Sequence, residues 1–260
     1  MAQAEVILER EGPVATLVFN RPQAHNAVSA TMAGELERAL LEIKADRTVR
    51  ALILTGAGEK SFISGSDIKE MNQRTTLMSI ESSRWRQSIL DRLEGLPIPS
   101  IAALNGYAFG IGCEVALACT FRLASEKAKL GQLEINLGII PGAGGTQRLP
   151  RLIGRSRAAE LILSGRIIDA QEALSLGLVN KVLPPAELLP ECRRWAETFA
   201  GKSPVAVEQA LRAINQGCEA SLADGLTLES YCLGACFASE DAKEGLQAFV
   251  EKRKPRFKGC

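Results

Sequence analysis

The sequence predicts an α/β core, rich in strands through its first two-thirds, followed by a wholly helical carboxy-terminal region. Three observations carry this. Short apolar runs of strand character recur between Val6 and Leu183. Segments with a single apolar stripe at helical spacing are interleaved with them. Beyond Pro185 only helical segments remain. At 260 residues the chain suffices for one large domain or two small ones and can bury a core without disulfide or metal staples.

The elements follow in order. Val6 to Arg10 and Val14 to Asn20 pair as a hairpin across Glu11-Gly12-Pro13. Val14, Thr16 and Val18 alternate with Ala15, Leu17 and Phe19, and both faces are largely apolar, as in a sheet covered on two sides. From Ser29 to Asp46, Met32, Leu36, Leu40 and Ile43 form one stripe, with Glu35, Glu37, Arg38, Glu42 and Lys44 mostly outside it. Arg50 to Thr55 is a buried strand stopped by Gly56-Ala57-Gly58. A turn at Ser64-Gly65-Ser66 enters a helix where Asp67 and Glu70 have capping-box spacing. Residues 72–80 are polar and aperiodic, which predicts a mobile loop, and a helix follows from Ile80 to Leu93 with Trp85, Ile89 and Leu93 at four-residue spacing. Ser100 to Leu104 is the next buried strand, and Gly106 to Gly112 turns the chain into a helix over Cys113 to Cys119. Strands at Phe121–Ala124 and Val179–Leu183 are separated by helices at 144–152, 156–163 and 169–176. In the helical tail Ser203-Pro204 is a good cap and first-turn pair. No internal repeat has a fixed period, and no Ser- or Gly-rich linker divides the chain.

Composition narrows the function classes. Hydrophobic residues make up 46% and charged residues 23%, which argues against disorder. Lys plus Arg number 31 against 30 Asp plus Glu, so no global charge draws the chain to nucleic acid or an anionic membrane. The seven cysteines form no C-x-x-C pair. Cys232 and Cys236 share a helical face but have no histidine or second pair nearby, so they read as thiols of a reducing compartment, with no metal site. The amino terminus, MAQAEVILER, lacks the apolar core of a signal peptide and is too acidic for a transit peptide, and a cytoplasmic location is expected. Leu96 to Cys119 is long and apolar, yet Pro97, Pro99, Asn105, three glycines and Glu114 make it strand, turn and helix, not a membrane span.

Two strand-to-helix turns can carry chemistry: Phe62 to Asp67, and Tyr107 to Gly112 ahead of Glu114. Each leaves unpaired backbone N–H groups where they and the helix dipole can hold a negative oxygen, although tight packing alone also explains the glycines. Neither is a phosphate loop, and Gly142, Gly144 and Gly145 lack the dinucleotide fingerprint. There is no G-x-S-x-G elbow, and His25, the only histidine, has no nucleophile to serve. Acid–base chemistry therefore falls to carboxylates, Lys, Tyr or Cys. Glu114 sits among Cys113, Val115, Ala116 and Leu117, and Glu134 between Leu133 and Ile135. Carboxylates are seldom buried without a reason, a salt bridge being the plain one. Burial raises a carboxyl pKa while a helix start lowers it, so two environments can keep one group protonated and the other ionised.

The motifs Arg21-Pro22-x-x-x-Asn26-Ala27, Phe62-x-Ser64-Gly65-Ser66-Asp67-Ile68-Lys69 and Asn105-Gly106-Tyr107-Ala108 through Glu114 stand in one order. They continue with Gly131-Gln132-Leu133-Glu134, Ile140 to Leu149 and Ala248-Phe249-Val250-Glu251-Lys252-Arg253. This ordered set, spanning nearly the whole chain, resembles the crotonase (enoyl-CoA hydratase/isomerase) family. The resemblance implies a spiral of ββα units over residues 1–200 and a helical region at 201–260 that builds a homo-oligomer, a trimer or a dimer of trimers. It implies a trans-2-enoyl-CoA substrate, a place in fatty acid metabolism, and no metal or redox cofactor. Glu114 and Glu134, twenty residues apart, match the two catalytic carboxylates. The N–H groups of Ser66 and Ile111 match the oxyanion hole for the thioester carbonyl. Gln23, Ala24, His25, Ser64, Ser66 and Ile68 fall in segments that approach CoA, and Phe249 and Lys252 match positions that reach the CoA of a neighbouring subunit.

The chain departs from the family at Ile111, where Gly is usual, at Ser64 and Ser66, where Ala is more usual, and at Leu133, where many hydratases have Pro. A β-branched residue requires ordinary negative φ, and Ile111 is expected to narrow or redirect acyl specificity. The alternatives are an enoyl-CoA isomerase or another crotonase-fold lyase, including a branched or methylglutaconyl-CoA hydratase. Isomerases often need only one carboxylate, so the presence of both favours hydration. One hydratase of the family binds RNA through a lysine-rich first helix. Here residues 29–46 hold one Lys and one Arg against three Glu and one Asp, so no RNA-binding face is expected. Retention of both glutamates also argues against a non-catalytic scaffold.

Overall fold

The computed structural model describes residues 4–260; the reading of the amino terminus as no leader rests partly on residues 1–3, which lie outside that range. The chain opens with the expected hairpin, β1 (Val6–Glu11) antiparallel to β2 (Val14–Phe19). Helix α1 (Ala30–Ala45) is capped by Ser29, whose hydroxyl accepts the N–H of Met32, and it buries Met32, Leu36, Leu40 and Ile43 as the stripe predicts. Strand β3 (Ala51–Gly56) is buried throughout. Next come β4 (Ser61–Ile63), α2 (Ile68–Met71), α3 (Thr76–Glu94), β5 (Ser100–Leu104), β6 (Tyr107–Phe109) and α4 (Ile111–Ala118). Then follow β7 (Phe121–Ser125), β8 (Lys129–Gly131), a 3-10 turn at Glu134–Leu137, α5 (Gly145–Ile153) and α6 (Arg155–Ser164). The strands end with β9 (Ile168–Asp169), α7 (Ala170–Ser175) and β10 (Lys181–Leu183). Four helices close the chain: α8 (Pro185–Ala200), α9 (Pro204–Gly217), α10 (Leu222–Phe237) and α11 (Glu240–Val250). The stretch Leu96 to Cys119 is divided among β5, β6 and α4, and no helix among the described residues is long and apolar enough to cross a membrane.

Six strands form one sheet in the order β1-β2-β3-β5-β7-β10, parallel except at the hairpin. Its two faces are both covered, as the doubly apolar strands predict. Ala15, Leu17, Leu52, Leu54 and Leu104 face the main core with α1, α3 and α4, while Val14, Ile53, Ile101 and Leu123 pack on Leu188, Cys192 and Ala196 of α8. The second sheet, β4-β6-β8-β9, is made of strands two or three residues long, too short to show alternation, and the sequence reading has no strands there.

Two local expectations are corrected. The loop expected over residues 72–80 is shorter, because α3 already begins at Thr76 under a cap in which the Thr75 hydroxyl accepts the N–H of Met78. The first turns of α3 are exposed and so carry no apolar stripe to reveal them. The capping box at Asp67 is only half formed. Asp67 accepts the N–H of Lys69, but its own N–H goes to the carbonyl of Val28, leaving no donor for Glu70; Glu70 instead accepts the N–H of Ala30 at the start of α1.

Candidate active site

The site is built where α4 begins. Gly110 precedes it with φ 51° and ψ −120°, a backbone that L residues rarely adopt. A Cβ at this position would lie 2.7 Å from Oε1 of Glu134, so the carboxylate rests directly over the glycine. Gly112 fills a different need: a Cβ there would stand 2.2 Å from the carbonyl oxygen of Ile63, so it lets α4 approach β4. Ile111, between them, has ordinary φ and is the first residue of α4, where backbone N–H groups have no helical acceptor.

The second turn meets this point from the side of β4. Val28 donates to the carbonyl of Gly65 and accepts from the N–H of Asp67, a parallel bridge that turns the N–H of Ser66 the other way. Arg21 ion-pairs with Asp67 at 3.2 Å and donates to the carbonyl of Ala27, tying residues 21–27 to the turn. Fully buried Asn26 accepts the N–H of Arg21 and donates to the carbonyls of Ala57 and Ser61.

The two carboxylates have unlike surroundings. Glu114 is 2% exposed, and its Oε1 accepts the N–H groups of Ala143 and Gly145, each at 2.7 Å, at the start of α5. Burial raises its pKa, and those two donors act against the rise. The loop that supplies them is held in turn by α3: Ser83 and Gln87 donate to the carbonyl of Gly142, while Arg148 pairs with Asp91 and Glu94 and donates to the carbonyl of Ala143. Glu134 opens the 3-10 turn, half-buried, and its Oε2 is buried without a partner. Desolvation, joined by the nearby charge of Glu114, pushes its pKa to about 7. One carboxyl is thus fixed by hydrogen bonds; the other is free to exchange a proton near neutrality.

Glu134 lines a cleft of about 670 Å³ together with Ala24, Ser64, Ser66, Ile68 and Phe109. The fold therefore gathers Ala24, Ser64, Ser66, Ile68 and Glu134 at one opening; buried Glu114 does not line it, but its charge acts on Glu134. Gln23 and exposed His25 flank Ala24 without lining the cleft, and His25 has φ 51°. Phe249 and Lys252 are exposed at the end of α11 and do not line the cleft either. The Ile111 side chain is buried among Phe19, Val28 and Met32 and lines a small internal cavity instead of the cleft. Openings of about 860 and 1230 Å³ elsewhere are larger, but they are rimmed by side chains already paired, such as Arg148 with Glu94 and Arg253 with Glu244.

Sequence reading missed three parts of this site. The donors of Ala143 and Gly145 leave no trace in side-chain pattern. Gln132 is buried with both amide ends unpartnered, beside Gly145. Arg86 is buried against the main core and donates to Ser66 Oγ at 2.8 Å. A signal for Arg86 did exist: the buried face of α3 runs Arg86, Ile89, Leu90, Leu93, so an arginine occupies an apolar stripe.

A family model described as enoyl-CoA hydratase/isomerase matches residues 9–260. The short-chain-enoyl-CoA hydratase of Clostridium acetobutylicum is 46% identical over 249 residues, covering 96% of this chain and 95% of that protein. The crotonyl-CoA hydratase of Syntrophomonas wolfei is 43% identical over 257 residues, covering 99% of each. Among solved structures, an enoyl-CoA hydratase from Bacillus anthracis matches with a TM-score of 0.95 at 42% identity, covering 98% of this chain and 100% of that one.

Proposed function

Because the chain belongs to the enoyl-CoA hydratase/isomerase family, we propose that it adds water reversibly across the 2,3-double bond of a trans-2-enoyl-CoA, using Glu114 and Glu134 as its acid–base pair. The observation that supports this most directly is the contrast between the two carboxyls: Glu114 fixed by two backbone donors, and Glu134 with an unpartnered buried oxygen and a pKa near 7 at the cleft wall.

In this reading Glu114 holds a water and takes its proton as the oxygen bonds to C3. The π electrons move toward the thioester carbonyl, and the backbone N–H groups of Ser66 and Ile111 hold the developing enolate oxygen. Preorganised donors of this kind are each worth on the order of 3 kcal/mol. Protonated Glu134 then delivers its proton to C2. The pair begins and ends with one proton between its two members, so it is treated as a coupled unit. Nothing in this route calls for a metal or redox group; the CoA thioester is the substrate. Ala24, Ser64 and Ile68 would bear on the CoA, with Gln23 and His25 at the edge of the same segment.

The same reading includes a homo-oligomer built through residues 201–260, in the cytoplasm. Supporting it, α10 and α11 expose Leu222, Leu226, Tyr231, Phe237 and Phe249, a large apolar area for one chain to leave in water, and all seven cysteines are free thiols. Phe249 and Lys252 would then reach a neighbour's CoA. Light scattering on the purified protein tests this part, and a monomer would refute it.

The deciding experiment follows loss of the conjugated enoyl-thioester absorbance of crotonyl-CoA beside Glu114→Gln and Glu134→Gln. Hydration by the wild type with losses of about 10²–10⁴-fold in each variant is expected. A wild type inert toward short, branched and long 2-enoyl thioesters would overturn the reading, and turnover of 3-enoyl thioesters alone would make it an isomerase.

A further inference from the structure

Two arginines are buried in the core, and they are treated very differently. Arg122 is 6% exposed and spends its guanidinium on structure: it donates to the carbonyls of Leu178, Ala116 and Cys119. Arg86 is 7% exposed, yet its Nε is buried without a partner, and among the described residues no carboxylate lies within ion-pair distance of it. Its one hydrogen bond, from Nη1, ends on the hydroxyl of Ser66. Around it stand Phe19, Met32, Ile89, Leu90, Ile111 and Val115. A buried cation without an ion-pair partner costs stability, and apolar side chains of similar volume in place of such groups are often neutral or stabilising. The position is not built for stability.

What Arg86 touches gives it a use. The bridge to Val28 turns the backbone N–H of Ser66 away from Val28, Ser66 lines the cleft, and Ile111, which carries the other proposed oxyanion donor, lines the same small cavity as Arg86. We propose that Arg86 is a positioning residue for the oxyanion site. Through the Ser66 hydroxyl it fixes the turn at residues 64–66, and its buried charge favours negative charge on the thioester oxygen. The inference rests on the assignment of the Ser66 and Ile111 N–H groups made above. It also gives the serine at position 66 a purpose that alanine could not serve, since only a hydroxyl accepts from the guanidinium.

The test uses the full-length enzyme with Arg86→Met, Arg86→Lys and Ser66→Ala. Three quantities are read: the kcat and KM for crotonyl-CoA, the melting temperature, and the fraction of bound acetoacetyl-CoA present as enolate, followed by its near-ultraviolet band. Arg86→Met should lose about 10–100-fold in kcat, less than or equal to deletion of a direct donor, with KM nearly unchanged and a smaller enolate fraction. Its melting temperature should hold or rise. Arg86→Lys should recover part of both the rate and the enolate band, and Ser66→Ala should lose part of both. Wild-type kcat and enolate band in Arg86→Met would overturn the proposal, as would a fall in kcat that tracks a fall in melting temperature with the band unchanged. If Arg86→Met does not fold, Arg86→Lys and Ser66→Ala decide, and wild-type values in both would overturn it. Glu114→Gln and Glu134→Gln run alongside: if these are inactive while Arg86→Met is unaffected, only the arginine proposal fails. If the glutamate variants also turn over normally, the hydratase site itself has been misread and the proposal falls with it.

Discussion

Gly110→Ala probes the close approach of the Glu134 carboxylate to the backbone at the start of α4. The native backbone at φ 51° and ψ −120° is one that alanine adopts only under strain, at a cost of about 1–3 kcal/mol. For a chain of this size that corresponds to a melting temperature lower by about 2–12 °C, at roughly 2–4 °C per kcal/mol. The new methyl also meets Glu134. It would begin 2.7 Å from Oε1, and ordinary contact starts at 3.4 Å, so the carboxylate must retreat by about 0.7 Å. Misplacing a reacting group by about 1 Å can cost about 10²-fold, so kcat/KM for crotonyl-CoA should fall about 10–50-fold. That equals about 1.4–2.3 kcal/mol of transition-state stabilisation, at 1.36 kcal/mol per tenfold. Gly177→Ala is the control: φ there is +75° and a Cβ would meet nothing within 4 Å, so it carries strain without touching the site. It should melt lower and turn over normally. If Gly110→Ala loses stability yet keeps wild-type kcat/KM, the carboxylate is not held by this contact and the reasoning fails.

Three further outcomes follow from the same geometry. In the proposed mechanism the carboxyl pair must hold one proton, so kcat/KM should fall as pH rises through about 7, where Glu134 ionises. The reverse dehydration should show the same basic limb, because its active form is a tautomer of the same singly protonated pair; a flat profile in either direction would contradict this. Stability should respond to the same group. Its pKa is raised from 4.5 to about 7 on folding, so the protonated side chain's contribution is whole below 4.5 and is lost as pH rises to about 7. Urea midpoints of Glu134→Gln should therefore gain on the wild type across that window and hold their lead above it, and a constant gap would refute the shift. Ile111→Ala should cost about 2–5 kcal/mol in chemical denaturation, since the side chain is buried in the core. The same variant, assayed with short, branched and long enoyl-CoAs, tests whether that bulk also bears on acyl choice; an unchanged preference would remove Ile111 from specificity.

Much of this is legible in the amino-acid sequence. The covered sheet showed in the doubly apolar strands β2 and β3, and α1 in its stripe and its Ser29 cap, because period and caps are local properties of the chain. Glu114 and Glu134 stood out because a carboxylate in an apolar run is rare, and the ordered motifs supplied their partners. The strands β4, β6, β8 and β9 stayed hidden because two or three residues cannot display alternation. The start of α3 was hidden for the opposite reason: its exposed turns have no buried face to leave a pattern.

Chain order and residue type thus determined most of the elements, the family and which two carboxyls stand out. Their inequality belongs to the folded chain alone. Glu114 is fixed because α5 starts beside it, whereas Glu134 rests with Oε1 over a glycine twenty-four residues earlier and leaves Oε2 buried without a partner. Arg86 likewise bears on Ser66 only once α3 packs behind the turn. Proton affinity depends on desolvation and on donors brought from distant segments, and neither exists until those segments meet.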